Sequence, residues 1–137
     1  MARILAIDYG FKRTGLAVTD PLQIVPGPLD TVPTHTLLDY LAHYLATEPV
    51  ETIVVGHPTQ TNGQDSETMK QIRPLVQKLR ALYPNISVVL HDERYTSVLA
   101  QRAIRAGGLG RKKRADKALV DRVSATIILQ SYLTTVH

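Results

Sequence analysis

The sequence predicts an α/β fold with a mixed five-stranded sheet, in which three antiparallel strands precede a parallel continuation and helices flank the sheet. Apolar runs and helical patterns alternate in the order β-β-β-α-β-α-β-α-α, which favours a hairpin-rich first part and crossover helices later. The 137-residue length, with 44% hydrophobic and 20% charged residues and no Cys, is typical of one globular domain. We therefore expect a single domain over residues 1–137, without disulfides or thiolate chemistry.

The first three strands follow from short apolar runs near the N-terminus. Residues 4–7 form a run that ends at Asp8 and is too short for a signal peptide or a membrane helix. Residues 14–19 follow a Gly-containing connection and predict the second strand of a hairpin. Residues 29–32 predict a third strand at the sheet edge, where the nearby prolines are tolerated.

Helices and strands alternate through the rest of the chain. A helix begins at Thr36, where Asp39 gives a weak capping-box pattern, and ends before Pro49. Residues 52–56 predict a buried strand, and residues 87–90 predict another strand. The helix between them contains Pro74, which either kinks this helix or marks its start. Its apolar face comprises Ile72, Val76, Leu79 and Tyr83.

Two further helices are predicted after the last strand. The first begins at Thr96 or Ser97 and ends at residue 106, before two glycines. The second begins at Asp116 and runs to about residue 134. Its core stripe is predicted to be Val120, Val123, Ile127 and Thr134.

Acidic residues follow the predicted strands at the positions where ligands gather in α/β sheets. Asp8 follows the first strand, and Asp92 and Glu93 follow the last one. Asp121 lies one turn into the final helix, on a stripe with Ala125 that also includes Ile128 and otherwise faces inward. Neighbouring carboxylates repel each other unless a cation lies between them, and all-oxygen ligands suit Mg²⁺ or Mn²⁺. Such a site can hydrolyse a phosphodiester.

Each acid also has a simpler interpretation. Asp8 can be a turn residue, because a Gly follows two positions later. Asp92 or Glu93 can pair with Arg94. Asp121 can pair with a neighbouring cation of its own helix, either Lys117 or Arg122.

The basic residues are concentrated in the second half of the chain. Residues 1–68 contain 3 Lys/Arg and 8 Asp/Glu, whereas residues 69–137 contain 13 and 4, and the whole chain has a net charge of +4. Seven cations are predicted near the acids and could hold a phosphate backbone: Lys12, Arg13, Arg94, Arg111, Lys112, Lys113 and Arg114. The alternative is a solvated basic loop without a partner. Structural roles are expected for His57 and His91.

Several motifs resemble the YqgF family. They are the residues Asp-Tyr-Gly-Phe-Lys-Arg-Thr-Gly-Leu-Ala at 8–17, together with residues 54–56, 62–63, 92–97, 117–121 and 128–133. The resemblance implies an RNase H-like fold and a nuclease, described in that family as a pre-16S rRNA nuclease or a Holliday junction resolvase. It also implies an acidic triad of Asp8, Glu93 and Asp121, which favours Glu93 over Asp92.

The sequence and the resemblance together predict a nuclease dependent on Mg²⁺ or Mn²⁺ that matures the 5′ end of pre-16S rRNA. The expected partners are pre-16S rRNA or branched DNA, and ribosomal precursor particles. The expected location is the cytoplasm, away from membranes, as a monomer or homodimer. One alternative is a non-catalytic RNA-binding assembly factor. Another is a phosphotransferase, because residues 8–15 also resemble the first phosphate motif of actin-like ATPases, although 137 residues supply one of their two lobes.

Overall fold

Five strands form one mixed sheet, as the sequence predicts. A computed structural model describes residues 2–57, 69–92 and 117–136. The strands are β1 (Arg3–Asp8), β2 (Arg13–Thr19), β3 (Pro26–Pro33), β4 (Val50–His57) and β5 (Ser87–Asp92). Their order in the sheet is β3-β2-β1-β4-β5. The pairs β1–β2 and β2–β3 are antiparallel, whereas β1–β4 and β4–β5 are parallel.

Helices pack on both faces of this sheet. They are α1 (Leu37–Thr47), α2 (Met69–Leu82) and α3 (Lys117–Val136), and a 3-10 turn (Thr34–Thr36) precedes α1. Successive side chains of a strand point to opposite faces, so β1 serves two cores. Leu5 and Ile7 pack in the core that contains α1 and α2. Ile4 and Ala6 pack in the core that contains α3. No helix within the described ranges is long and apolar enough to cross a membrane.

The prolines lie where the sheet and helix tolerate them. Pro26 and Pro28 belong to β3, which is an edge strand as predicted but is longer than residues 29–32. Pro74 lies inside α2 on its exposed side, so it does not mark the start of that helix. The sequence left this choice open.

The start of α1 differs from a capping box. Thr36 does precede α1, but its side chain makes no capping hydrogen bond. The Thr36 hydroxyl instead donates to the carbonyl oxygen of Pro33 at 2.7 Å. The cause is the 3-10 turn, which brings Pro33 within reach of that hydroxyl.

The predicted core stripe of the last helix is wrong. Thr134 is exposed, and its hydroxyl donates to the carbonyl oxygen of Gln130 at 3.0 Å. Val123 and Ile127 are only half-buried, and the side chain of Val120 lies outside the described part. The buried residues of α3 are Ser124, Ala125, Ile128, Leu129 and Leu133. Since α3 is apolar on several sides, its periodicity permits more than one stripe, and contact with the sheet selects one of them.

Candidate active site

Asp8 lies at the carboxyl end of the central strand. The four residues before it, at 4–7, are almost fully buried, whereas Asp8 is half-buried. It pairs with Gly15 of β2. The apolar run therefore delivers the first carboxylate of the chain to the rim of the sheet, where the strand leaves the core.

The loop after Asp8 is held by hydrogen bonds from distant parts of the chain. Thr34 is central to this arrangement, because its hydroxyl donates to the Gly10 carbonyl oxygen at 2.6 Å and its amide donates to the Lys12 carbonyl oxygen at 2.9 Å. The Thr14 and Thr34 hydroxyl oxygens lie 2.9 Å apart. These bonds fix the backbone between β1 and β2 against the 3-10 turn.

Gly10 is required in this loop by close packing of the backbone. A Cβ atom at position 10 would lie 2.5 Å from the carbonyl oxygen of Arg13, closer than real Cβ contacts. The loop therefore folds back tightly on the start of β2. The predicted phosphate-binding cations begin here, with Lys12 exposed in the loop and Arg13 half-buried as the first residue of β2.

Tyr9 connects the loop to α2. Its hydroxyl donates to Oε1 of Gln71 at 2.6 Å, and its ring packs against the core beneath α1 and α2. Burial raises the pKa of the Tyr9 phenol above its usual value. The phenol therefore stays protonated at neutral pH and remains a donor to Gln71.

The carboxyl end of β5 lies at the same edge of the sheet as Asp8. Ile7 is level with Val55 of β4, and Asp92 of β5 is paired with His57. Because β1, β4 and β5 are parallel neighbours, two strand spacings of about 4.8 Å separate the backbones of Asp8 and Asp92, or about 10 Å. Glu93, Arg94 and the cations at 111–114 lie outside the described residues.

His91 joins the end of β5 to α3. Its Nε2 atom lies 2.9 Å from Oγ of Ser131. Its ring also meets the ring of Tyr132 edge-on, with centroids 5.9 Å apart. These contacts agree with the structural role expected for His91, whereas the side chain of His57 lies outside the described part.

Asp121 lies on the backbone of α3, one turn before the buried Ala125. Its side chain is not among those described. The helix packs across β1, β2 and β3, and the small residues Ala6, Ala17 and Ala125 belong to the core beneath it. Among the described side chains, no group of three or more His, Asp or Glu residues could hold a metal ion, and two acids of the predicted triad are not in that set.

Sequence reasoning missed the residues that shape the loop, namely Thr34 and Gln71. Each contacts residues far away in the chain, with Gln71 62 positions from Tyr9. No local pattern indicates such a contact. The motif at residues 8–17 includes Tyr9 and Gly10, but it does not predict which residues they contact.

The sheet order, with a carboxylate at the end of its central strand, defines an RNase H-like α/β protein. A solved structure with the same fold is "T. thermophilus RuvC in complex with Holliday junction substrate", which matches with a TM-score of 0.52 and 16% identity over 98% of this chain and 96% of that chain. The chain belongs to the RuvX family, described as Holliday junction resolvase, whose model matches residues 2–135.

Relatives of high identity cover nearly the whole chain. Proteins from Porphyromonas gingivalis and Phocaeicola vulgatus are each 62% identical over 97% of this chain and 96% of their own, and both bear the name "Putative pre-16S rRNA nuclease". These matches confirm the resemblance found in the sequence. They also confirm the predicted enzyme class, a nuclease.

Proposed function

We propose that this chain is a metal-dependent nuclease that matures the 5′ end of pre-16S rRNA in the cytoplasm, with residues 1–137 acting as one nuclease domain. The name of its 62% identical relatives supports the RNA substrate. The observation that carries the proposal is the position of Asp8, a half-buried carboxylate at the carboxyl end of the central strand beside a tightly held loop.

A divalent cation fits the donor set. Asp8, Glu93 and Asp121 offer only carboxylate oxygens, which Mg²⁺ and Mn²⁺ prefer. β5 ends at Asp92, one residue before Glu93 and at the same edge as Asp8. Asp121 belongs to a helix that packs on β1. A divalent cation held by these carboxylates would supply the charge needed to activate a water and to stabilise the leaving oxygen.

The chain's basic residues hold the substrate in this proposal. Lys12 and Arg13 follow Asp8 in the chain, and Arg94 follows Glu93. The basic segment comprises Arg111, Lys112, Lys113 and Arg114. Contacts of such cations with phosphates position a nucleic acid without reading its sequence. The substrate is then selected by its shape and not by its sequence, which suits the structured RNA of a ribosomal precursor particle.

Cleavage of a labelled pre-16S 5′ fragment tests the proposal. With Mg²⁺ or Mn²⁺, the wild type should cut the fragment, and EDTA should stop the reaction. Asp8→Asn keeps the shape of the side chain but removes its charge. Loss of a group that only supports a metal ligand costs up to about 100-fold, so the change of a ligand itself should lower activity by at least about 100-fold. Glu48→Gln is the matched control, because it removes a carboxylate next to Arg3 at the start of β1, whereas Asp8 lies at the other end of that strand. Full activity of folded Asp8→Asn contradicts the proposal.

Resolution of four-way DNA junctions is the second candidate, and the description of the family favours it. A synthetic junction therefore enters the same assay. Symmetrical paired cuts in the junction, without cleavage of the RNA, would select this function and imply a homodimer. Salt-sensitive RNA binding without any cleavage would instead indicate a non-catalytic assembly factor.

A further inference from the structure

Three large apolar side chains lie exposed in the turn between β2 and β3. Leu22, Ile24 and Val25, which we call the turn patch, are 58%, 67% and 63% exposed, and they make up half of the large exposed hydrophobic residues in the described part of the chain. A groove of about 400 Å³ lies beside them and is lined on its other side by Leu133 and Thr134 of α3. Adjacent exposed apolar residues of this kind mark contact sites, whereas single ones do not.

The turn that carries the patch is held in place by hydrogen bonds. The Asp20 carboxylate accepts bonds from three amides of the turn. Nε2 of Gln23 donates to the carbonyl oxygen of Ala2 at 2.8 Å and to Oε1 of Glu51 at 2.6 Å, which ties the turn to the strands β1 and β4. Gln23 has a φ of 61°, a left-handed conformation that is uncommon outside glycine. The patch is therefore formed before any partner binds, and a preformed surface loses little entropy on binding.

The charge around the turn patch is negative. Residues 14–57, which span β2, β3, α1 and β4, contain no Lys or Arg but five acids: Asp20, Asp30, Asp39, Glu48 and Glu51. Asp20 and the exposed Glu51 lie at the turn itself, whereas Glu48 is paired with Arg3 at 3.3 Å. Like charges that meet across an interface are unfavourable. The patch therefore suits neither RNA phosphates nor the same patch of a second copy, which a two-fold contact would place against it.

The turn patch lies at the end of β1 that is remote from Asp8. The Ile4 amide donates to Oγ1 of Thr19 at 3.0 Å, immediately before the turn. Asp8 is the last residue of β1, four residues after Ile4, which corresponds to about 13 Å along a strand. A partner on the turn patch therefore leaves the carboxyl end of β1 free for RNA.

We propose that the turn patch binds a basic protein of the ribosomal precursor particle while the Asp8 end of the sheet faces the RNA. This inference rests on the proposed function, which brings the chain to that particle. The particle offers two kinds of surface, namely RNA and the proteins bound to it. Proteins that bind RNA present Lys and Arg, so they complement an acidic and apolar patch. An apolar side chain of the partner fills the groove, and its cations lie near Asp20 and Glu51.

Separate titrations with the particle and with its RNA test this inference. Protein with a fluorescent N-terminal label, in the Asp8→Asn background so that nothing is cut, is titrated with small-subunit precursor particles and with RNA extracted from them. Ile24→Asp should weaken binding to the particle at least about tenfold, as loss of an apolar anchor does. Its affinity for the extracted RNA should stay within about twofold. Leu82→Asp is the matched control, because Leu82 is also exposed and apolar but lies on α2.

A second variant keeps the test valid if Ile24→Asp disturbs the turn. Glu51→Gln removes a charge and keeps the oxygen that accepts the bond from Gln23. Its binding to the particle should weaken about threefold at low salt, and the difference should vanish at high salt, where the attraction between charges is screened. Asp39→Asn makes the same change at an exposed position of α1 and should bind as the wild type does.

Four results overturn the inference, and they are distinguishable. If the wild type cuts the RNA but Ile24→Asp binds the particle as Leu82→Asp does, the turn patch binds no protein there and the nuclease assignment stands. Equal weakening toward the particle and the extracted RNA would mean that the patch contacts RNA. A wild-type dimer that Ile24→Asp dissociates in sedimentation would make a second copy the occupant. If the wild type neither cuts the RNA nor binds the particle, the proposed function fails, and this inference fails with it.

Discussion

At the scale of single residues, Gly10 shows how closely the loop beside Asp8 is packed. A methyl group at this position would lie 2.5 Å from the Arg13 carbonyl oxygen. Backbone cannot yield as a flexible side chain does, so the loop must move to admit it. The hydrogen bond from Thr34 to the Gly10 carbonyl resists that movement.

Gly10→Ala should therefore destabilise the protein by about 1–3 kcal/mol, as overpacking does. It should also lower kcat by up to about 100-fold, because a displacement of 1 Å near a reacting group has such an effect. Urea unfolding and the RNA cleavage assay measure the two effects. Gly27→Ala is the matched control, since nothing lies within 4 Å of a Cβ atom there. Equal stability of the two variants would contradict the packing argument.

Asp20 organises the turn between β2 and β3. Its Oδ1 atom accepts hydrogen bonds from the amides of Ile24 and Val25, each at 2.8 Å, and its Oδ2 atom accepts one from Leu22 at 3.3 Å. These bonds, with that of Val25 first, hold the pKa of the Asp20 carboxyl below its ordinary value of 3.8. The folded state therefore prefers the ionised form more than the unfolded state does.

The contribution of Asp20 to stability should depend on pH. A lowered pKa in the folded state stabilises the fold above the unfolded pKa, and this stabilisation is lost as the pH falls through the folded pKa. Urea midpoints of the wild type and Asp20→Asn should thus differ at pH 7 and converge as the pH falls below 3.8 and through the lowered pKa of the folded state. Asn resembles the protonated acid in shape, so the comparison isolates the charge. A difference that is constant with pH would be the contrary result.

At the scale of elements, α3 shows what packing adds to an apolar pattern. Its sequence offers hydrophobic side chains on several sides, and only contact with Ala6, Ala17 and Val54 decides which side is buried. The two alanines are small, so they allow the helix to approach the sheet closely. The choice between stripes is therefore made by residues more than 60 positions away from α3.

Truncations in α3 should separate the two stripes. Leu129 is 0% exposed, so Leu129→Ala should lower the free energy of unfolding by about 2–5 kcal/mol. Thr134→Ala, on the stripe predicted from sequence but exposed in the structure, should change it by no more than about 0.5 kcal/mol. Thermal and urea unfolding compare both variants. A large loss at Thr134 with a small loss at Leu129 would restore the original stripe.

Strands were more predictable than helix ends, and the reason is physical. The apolar runs that became β1 and β4 are buried in the sheet, and such runs are recognisable locally. The start of α1 depends instead on a 3-10 turn, and no capping residue in the sequence predicts that turn. Pro74 resisted prediction because an exposed proline can remain inside a helix that is stabilised by packing of Ile72, Val76 and Leu79.

At the scale of the whole molecule, the position of Asp8 was predictable, but its surroundings were not. A carboxylate after a buried strand must lie at the end of that strand. Which distant groups meet it there depends on the tertiary fold, as the bonds from Thr34 and Gln71 show. A groove lined by Tyr9, Leu37 and Leu75 likewise combines three separate parts of the chain, so no single segment of the sequence predicts it.

The distribution of charge along the whole chain leads to a further prediction. Thirteen of the 16 Lys and Arg residues lie after residue 68, and four of them are consecutive at 111–114. We expect that segment to contact the phosphate backbone of the substrate, so that its cations displace counterions on binding. Each contact with a single strand adds about 0.7 to the slope of log affinity against log salt concentration.

Replacement of Arg111, Lys112, Lys113 and Arg114 by Gln should therefore reduce that slope by about 3. Binding should weaken most at low salt, and the difference from the wild type should shrink as salt increases. Anisotropy titrations of the RNA fragment at several salt concentrations measure this. The rate at saturating RNA should stay within about twofold, because the segment binds substrate and does not cut it. An unchanged slope would mean that the four cations are a solvated loop without a nucleic-acid partner.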